Sequence, residues 1–152
     1  MKKARPGKRQ LERSKPVDHE ALADFQFHLR QFLSFSEANT RKNGLTSRQY
    51  EALLTIRGLS EPSSSSMLTS DLANLLLVDK DTAARLVDRM ARVGLVTKST
   101  DPVDRRRVLV ALTRRGEQKV ASVAGANLRE LGSRRLSLTK LLKQFDRRHH
   151  AR

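Results

Sequence analysis

Residues 68–116 decide the fold and read LTSDLANLLLVDKDTAARLVDRMARVGLVTKSTDPVDRRRVLVALTRRG. Apolar residues recur first at helical spacing, in two short segments, and then alternate with other residues in two strands. The turn between the strands leads into three consecutive arginines, and a new helix begins at the end of the stretch. This order predicts a winged helix-turn-helix, a mainly α unit with a small β-hairpin wing. Such a unit places one helix in a DNA groove and a basic hairpin beside it.

The second helix of this unit is predicted over residues 80 to about 93, between the N-cap Asp79 and the C′ residue Gly94. Its buried stripe has the spacing of an amphipathic helix and consists of Ala83, Leu86, Val87 and Met90. The opposite face is polar and mostly basic, and it carries Lys80, Asp81, Ala84, Arg85, Asp88, Arg89 and Arg92. The preceding helix is predicted to end at Leu77 and to be capped by Thr69 or Ser70.

The hairpin consists of a strand over residues 95–100, a turn over 101–104 and a return strand over 108–112. Between the turn and the return strand lie Arg105, Arg106 and Arg107. Adjacent like charges repel, and exposed ion pairs return at most about 1 kcal/mol, so stability explains these arginines poorly. A DNA groove or a phosphate partner explains them better.

On the N-terminal side, residues 1–16 are basic and broken by proline and glycine, which predicts a disordered arm. This arm either adds phosphate contacts or is a solvated tail. A helix over residues 17–37 carries four of the five phenylalanines. Its wide apolar stripe suits plain core, a dimer interface or one wall of a small-molecule pocket. His28 in this helix is interpreted as a partly exposed or hydrogen-bonded histidine rather than a ligand sensor.

Residues 38–44 are predicted to form a loop, after which a further helix begins. Thr46 is its expected N-cap, with Gln49 three residues later as the partner in a capping box. Residues 60–66 are rich in serine and predict a flexible polar linker between this helix and the winged unit.

Beyond the hairpin, Thr113 is predicted to cap a helix over residues 114–131, which Gly132 and Ser133 then break. A last helix is predicted over residues 136–148. Both helices carry apolar stripes outside the winged unit, which favours association with the first helix of the same or another chain. The adjacent histidines at 149 and 150 are interpreted as part of a basic terminus, because a metal site needs about three to four converging ligands.

Composition points to a polyanionic partner. The chain has 152 residues, a formal net charge of +15 and no cysteine, and its sequence pI is about 11.3. Nucleic acid is the simplest partner for such a charge, and an anionic membrane surface is the alternative. The absence of cysteine excludes disulfides and thiol redox sensing. No apolar run approaches the roughly 20 residues that span a bilayer, and the N-terminus lacks a secretory signal, so we expect a cytosolic protein.

Residues 104–113, DRRRVLVALT, resemble the wing of the MarR family of bacterial transcriptional regulators. That wing has Asp, any residue, Arg, then an apolar strand ending in Leu-Thr and a helix start that contains Gly. Here these places are held by Asp104, Arg106, Leu112, Thr113 and Gly116. Residues 85–90, RLVDRM, and 94–96, GLV, look like the recognition helix of the family and its exit.

The resemblance implies a homodimer whose terminal helices form the interface and whose two winged lobes meet successive major grooves of a pseudo-palindromic site. It places Lys80, Asp81, Thr82 and Arg85 where base edges are contacted. It also implies that Arg106 enters the minor groove, where negative potential attracts arginine. Asp104 would orient the guanidinium of Arg106. We expect phosphate attraction from Arg89, Arg92, Arg105 and Arg107, with Thr69, Ser70 and Lys98 as further phosphate-contact candidates.

The sequence also departs from the family pattern. Asp79 and Lys80 replace the Ser and Arg that are usual near the start of the recognition helix. Asp81 stands where small polar residues are common, and it either accepts a hydrogen bond from a cytosine amino group or faces the helix dipole.

An effector is a further implication of the resemblance. Small aromatic acids and other lipophilic anions often bind these regulators between the dimer helices and the winged lobe, and release the DNA. The Phe-rich first helix and Arg30 are compatible with such a pocket. A ligand of this kind must prefer the geometry that does not bind DNA, because only differential affinity shifts an equilibrium.

These observations predict four segments: a disordered basic arm over 1–16, a dimerisation helix over 17–44, the DNA-binding winged unit over 45–116, and dimerisation helices over 117–152. The first hypothesis is a dimeric transcriptional repressor of the bacterial nucleoid that binds double-stranded DNA and needs no cofactor. The alternative is a basic, sequence-tolerant nucleoid-associated or RNA-binding protein. An enzyme is not expected, because the chain has no Ser/His/Asp set, phosphate loop or metal-ligand spacing. Asp18 or Glu20 beside His19 and His28 is better explained as a helix N-terminus.

Overall fold

The computed structural model describes residues 19–60 and 65–150, and in the last helix it does not describe the side chains of 135–138, 140–142 and 144–150. The disordered arm expected over 1–16 lies outside these ranges, as do residues 61–64 of the expected linker. Within these ranges the structure has five helices and three strands, in the order α1 His19–Lys42, α2 Ser47–Leu59, β1 Ser66–Leu68, α3 Thr69–Leu75, α4 Lys80–Arg92, β2 Val96–Thr100, β3 Val108–Leu112 and α5 Arg114–His150. The prediction of a mainly α fold with a small β wing is confirmed.

The wing is a three-stranded antiparallel sheet in the order β1-β3-β2. The expected hairpin pairs β2 with β3, so that Val96 faces Leu112 and Thr100 faces Val108. The third strand, β1, was not predicted, because its first residue falls in the segment interpreted as a flexible linker. Met67 pairs with Val110, which is far away in the sequence. A strand of only three residues is also too short to show the alternating pattern from which a strand is predicted.

The core lies between α2, α3, α4, the sheet and the first turns of α5. At its centre are fully buried aliphatic side chains, including Leu53, Ile56, Leu72, Met90 and Val110. α2 begins as expected, since Thr46 accepts a hydrogen bond from the N–H of Gln49, whose side chain accepts one from the N–H of Thr46. The capping box therefore fixes the start of the helix that the rest of the lobe packs around.

α1 continues through the segment predicted as a loop over 38–44 and ends only at Lys42. Contacts with α5 hold this extension: Asn39 Nδ2 donates to the carbonyl of Val123 at 3.1 Å and to Asn127 Oδ1 at 3.2 Å. Gly44, with a φ of +71°, then turns the chain into α2. The loop prediction was wrong because polar residues that look like loop formers here make contacts between helices.

α5 is one continuous helix, and the break predicted at Gly132 and Ser133 is absent from it. Glycine and serine lower helix stability by about 0.5–1 kcal/mol each, which neighbouring contacts can offset. Arg134 supplies two such contacts, to Glu130 Oε1 at 2.6 Å and across to Gln31 Oε1 of α1 at 2.7 Å. The apolar stripe expected over 136–148 consists of side chains outside the described set. Over residues 19–60 and 65–150, none of the helices is long and apolar enough to cross a membrane.

Candidate nucleic-acid interface

The direction of the exposed face of α4 is fixed by the residues at the two ends of the helix and by its buried apolar stripe. Asp79 is its N-cap and accepts from the N–H of Thr82 at 2.7 Å, as expected. The predicted stripe of Ala83, Leu86, Val87 and Met90 is buried. Gly94, with a φ of +71°, ends the turn that leaves the helix, as its C′ assignment predicts. The opposite face is therefore held outward.

A short chain of hydrogen bonds orients the first turn of that face. Thr82 Oγ1 donates to Asp79 Oδ2 at 2.6 Å and accepts from Arg85 Nη2 at 3.3 Å. The hydrogen bond from the Thr82 hydroxyl, and then that from the Thr82 N–H, holds the pKa of Asp79 below its usual value. A carboxylate thus positions a threonine, and the threonine positions a candidate base-reading arginine.

α3 is not capped by Thr69 or Ser70. Leu68 is its N-cap and makes no side-chain capping bond, because β1 runs directly into the helix. Thr69 Oγ1 instead donates to the carbonyl of Val108 in β3 at 3.1 Å, which ties α3 to the wing. The helix also ends earlier than predicted, at Leu75, because Leu77 adopts a left-handed φ of +54° and is 91% exposed.

Asp104 does not orient the guanidinium of Arg106 as the resemblance implied. Its Oδ1 accepts from the backbone N–H of Arg106 at 3.0 Å, and its carbonyl accepts from the N–H of Arg107 at 2.9 Å. An aspartate carboxylate that accepts from the N–H two residues later closes a tight turn. This bond to the backbone competes with a bond to the guanidinium of the arginine. Asp104 therefore shapes the backbone from which the arginines project.

Two of the expected phosphate contacts have carboxylate partners. Arg107 Nε lies 3.3 Å from Asp101 Oδ2, and Lys98 Nζ lies 2.5 Å from Asp88 Oδ1. The hydrogen bond and charge of Lys98, with a smaller contribution from Arg92, lower the pKa of Asp88. The second pair joins the wing strand β2 to α4.

A groove of about 570 Å³ separates α4 from the wing. Several predicted site residues meet there: Thr69, Ser70, Lys80, Asp81, Lys98, Arg106 and Arg107. The rest lie outside it: Thr82, Arg85, Arg89 and Arg92 on α4, and Asp104 and Arg105 in the wing loop. We call this cleft the helix–wing groove.

Three carboxylates at this interface were not predicted as site residues. Asp71 and Asp88 line the helix–wing groove, and Asp101 is buried behind the wing loop with 8% of its surface exposed. For Asp88 and Asp101 the sequence offers a weak signal, since both are acids inside a strongly basic stretch, whereas Asp71 has no basic residue near it in the sequence. Their partners are set by folding and cannot be read from spacing.

A family model described as MarR family matches residues 43–107. A protein of Thauera aromatica, whose name assigns it as a transcriptional regulatory protein for the hcr operon, is 31% identical over 121 residues, which is 74% of this chain and 68% of that protein. The structure of AbsC, a MarR family transcriptional regulator from Streptomyces coelicolor, matches with a TM-score of 0.67 and 24% identity over 90% of this chain and 94% of that one. A mutant of S. aureus MepR bound to an oligodeoxyribonucleotide matches with a TM-score of 0.64 and 18% identity over 86% of this chain and 99% of that one. The chain therefore belongs to the MarR family of transcriptional regulators.

Proposed function

We propose that this regulator is a homodimer that binds a pseudo-palindromic operator in double-stranded DNA and represses transcription there. The observation that carries the proposal is the helix–wing groove, in which Lys80 of α4 and Arg106 of the wing line one cleft. A helix in the major groove and an arginine in the adjacent minor groove need this side-by-side arrangement. DNA bound to the similar MepR structure supports the same partner.

Within this interface the residues take different roles. Lys80 and Arg85 contact base edges at the N-terminal half of α4, with Thr82 holding Arg85, and Arg106 enters the minor groove. Asp81 is exposed on the same turn, where it accepts from a cytosine amino group or complements the helix end. The remaining exposed arginines, Arg89, Arg92 and Arg105, attract phosphates.

The dimer interface is proposed to lie on α1 and α5. These helices pack against each other and still expose large apolar side chains, with Phe27 50%, Leu33 54% and Leu128 67% exposed. Apolar surface of this kind on two packed helices favours a partner helix pair from a second copy. Two winged lobes related by a two-fold axis then match a two-fold site.

An effector site is proposed in a cavity of about 470 Å³ between α1, α2 and α5, a size typical of small-molecule sites. Its lining includes Phe32, Leu33, Leu54, Ala124, Leu128 and Leu131. The charged groups among its described lining residues are Glu37 and Glu51, and Arg30 does not line it. Both glutamates already pair with an arginine outside the lining, at 2.7 and 3.0 Å. This lining favours a neutral lipophilic ligand over the anion implied by the resemblance.

Matched probes test the effector. Methyl salicylate and salicylate have the same ring and differ in charge, so the neutral ester should raise the melting temperature and weaken DNA binding while the anion does neither. Binding of the anion alone would contradict the proposed ligand class. If neither probe bound, and no compound in a wider phenolic screen bound either, the site itself would be contradicted.

Selection of bound duplexes from a random pool tests the main proposal, since it reports specificity, palindromy and half-site spacing together. Fluorescence anisotropy with the selected duplex then compares Arg85→Ala and Arg106→Ala with Arg41→Ala, which removes the same charge from the last turn of α1. Each interface variant should weaken binding about 5- to 150-fold, and the control should not. A specificity ratio near one would instead support the sequence-tolerant nucleic-acid-binding protein.

A further inference from the structure

Asp101 and Arg107 face each other where the wing hairpin opens into its loop. The paired residues of β2 and β3 end with Thr100 and Val108, so Asp101 and Arg107 form the next cross-strand pair. The N–H of Asp101 donates to the carbonyl of Arg107 at 3.0 Å, and Arg107 Nε lies 3.3 Å from Asp101 Oδ2. Backbone and side chains therefore close the loop at the same point.

The Asp101 carboxylate is directed inward and is used twice. Its side chain is 12% exposed, whereas that of Arg107 is 47% exposed. Oδ2 meets Arg107, and Oδ1 accepts from the N–H of Val103 at 3.0 Å. The other half of the loop is fixed by Asp104, which accepts from the N–H groups of Arg106 and Arg107. Both halves of the five-residue loop 102–106 are thus tied to the Asp101–Arg107 pair.

Arg107 differs in this respect from its two neighbours. Among the described residues, it is the member of the arginine triplet that has a carboxylate within ion-pair distance, while Arg105 and Arg106 are exposed without one. A guanidinium that is held at the base of the loop has less freedom to reach a phosphate. The same position lets it control the direction in which the next two arginines leave the loop.

We propose that Arg107 is a positioning residue that, with Asp101, clasps the base of the wing loop and fixes the direction of Arg105 and Arg106. The proposal rests on the proposed DNA-binding role of the wing. In this arrangement Arg107 contributes to operator binding through the geometry of its neighbours and makes no phosphate contact of its own.

The clasp and a simple charge effect make opposite predictions for Asp101. If Arg107 acted only as a positive charge, removing the Asp101 carboxylate would strengthen attraction to a polyanion. If the pair is a clasp, removing either partner weakens operator binding, and removing both costs no more than removing one. Asp101→Asn is suitable for this comparison because the amide oxygen can still accept from the N–H of Val103.

The experiment uses the full chain in anisotropy titrations with the selected operator and a random duplex, between 50 and 200 mM salt. Asp101→Asn and Arg107→Met should each weaken operator binding about 5- to 20-fold, and the double variant should match the weaker single variant. Arg105→Met is the matched control, because it removes the same charge from the neighbouring loop position. Its salt slope should fall by about one, while that of Arg107→Met should equal the wild-type slope.

Limited trypsin digestion without DNA tests the clasp apart from the proposed function. Cleavage after Arg105 and Arg106 should be about 5-fold faster in Asp101→Asn at an unchanged melting temperature, because the loop opens more often. The clasp is overturned if Asp101→Asn binds the operator as tightly as wild type or is digested no faster. A wild-type protein with no preference for any duplex would contradict the proposed function, while the digestion would still decide the clasp.

Discussion

A Cβ atom built on Gly116 would lie 2.1 Å from the carbonyl oxygen of Leu95. The same carbonyl accepts from the N–H of Thr113 at 3.0 Å, and the Thr113 hydroxyl donates to the carbonyl of Gly94 at 2.7 Å. The first turn of α5 therefore packs directly against the backbone that follows α4. This contact gives a physical reason for the Leu-Thr and Gly pattern seen in the sequence.

Gly116→Ala should destabilise the fold by about 1–3 kcal/mol, because the methyl group meets backbone that cannot move without displacing α4 or α5. Chemical denaturation followed by circular dichroism measures the change. Gly58→Ala is the control, since a methyl group added there would meet nothing within 4 Å, and helix propensity predicts a gain of about 0.5–1 kcal/mol at that position. Equal stability of the two variants would contradict the close seating of α5.

Asp79 should make the stability of α4 depend on pH. Its pKa in the fold is lowered by the two hydrogen bonds from Thr82, so the folded state binds its proton less readily than the unfolded chain. The resulting stability is present above the ordinary carboxyl pKa of about 4 and is lost as the pH falls through the lowered value. Asp79→Asn, which keeps a capping oxygen, should lack this component. If the free energies of unfolding of the two proteins changed equally with pH between pH 2 and 6, Asp79 would make no such contribution.

Thr82 should affect DNA binding without changing the charge of the interface. Thr82→Val removes the hydroxyl that joins Asp79 to Arg85, and Thr82→Ser keeps it at the same backbone position. We expect Thr82→Val to bind the operator about 5- to 10-fold more weakly, the size of one hydrogen bond, with an unchanged salt slope. Thr82→Ser should bind like wild type. If both variants bound equally well, the threonine would have no role in orienting Arg85.

Tyr50 lies in a buried polar network that joins α1, α2 and α5. Asn127 Nδ2 donates to Tyr50 Oη at 3.1 Å and to Ser36 Oγ at 2.8 Å. Burial raises the pKa of Tyr50, against a smaller opposing effect of the Asn127 hydrogen bond. The stability that this protonated phenol contributes is complete below pH 10 and is lost as the pH rises through the higher folded value.

Tyr50→Phe should therefore cost about 0.5–1.5 kcal/mol at neutral pH and should lack the loss of stability above pH 10. Asn127→Ala should cost more, about 1–3 kcal/mol, because the hydroxyls of Tyr50 and Ser36 and the side chain of Asn39 each lose a hydrogen bond. Urea unfolding at pH 7 and at pH 10.5 measures both effects. An Asn127→Ala protein as stable as wild type would show that the network contributes nothing to holding the three helices together.

Phe27 provides a test of the proposed dimer, because it lies on α1 with half of its surface exposed. Phe27→Glu places a charge in an apolar contact and should shift sedimentation from dimer to monomer at micromolar concentration. Gln26→Glu adds the same charge at the neighbouring exposed position and should remain a dimer. Dimers of both variants would move the interface away from this face of α1.

The parts of the structure that were predicted from sequence are those fixed by nearby residues. α4 is an example, because its cap, its apolar stripe and its terminal glycine lie within sixteen residues of one another. β1 and the continuity of α5 depend on distant partners, such as Val110 for Met67 and Gln31 for Arg134. The same distinction applies to the site. The exposed arginines of α4 could be predicted, but the carboxylates that hold Lys98 and Arg107 could not, because folding chooses the partner.

Because α5 is uninterrupted, a tilt about one of its ends displaces the part of the molecule that is attached to the other end. Its 37 residues correspond to about 55 Å at the helical rise of about 1.5 Å per residue. The first turn of α5 packs on Leu95, so the winged lobe moves with it. A tilt of about 5° about the far end of α5 would therefore move the winged lobe by about 5 Å. Half-sites on DNA are spaced by about 34 Å, one helical turn. In the proposed dimer, an adjustment of this size far from the DNA would be enough to take the two winged lobes out of register with successive grooves of the proposed operator.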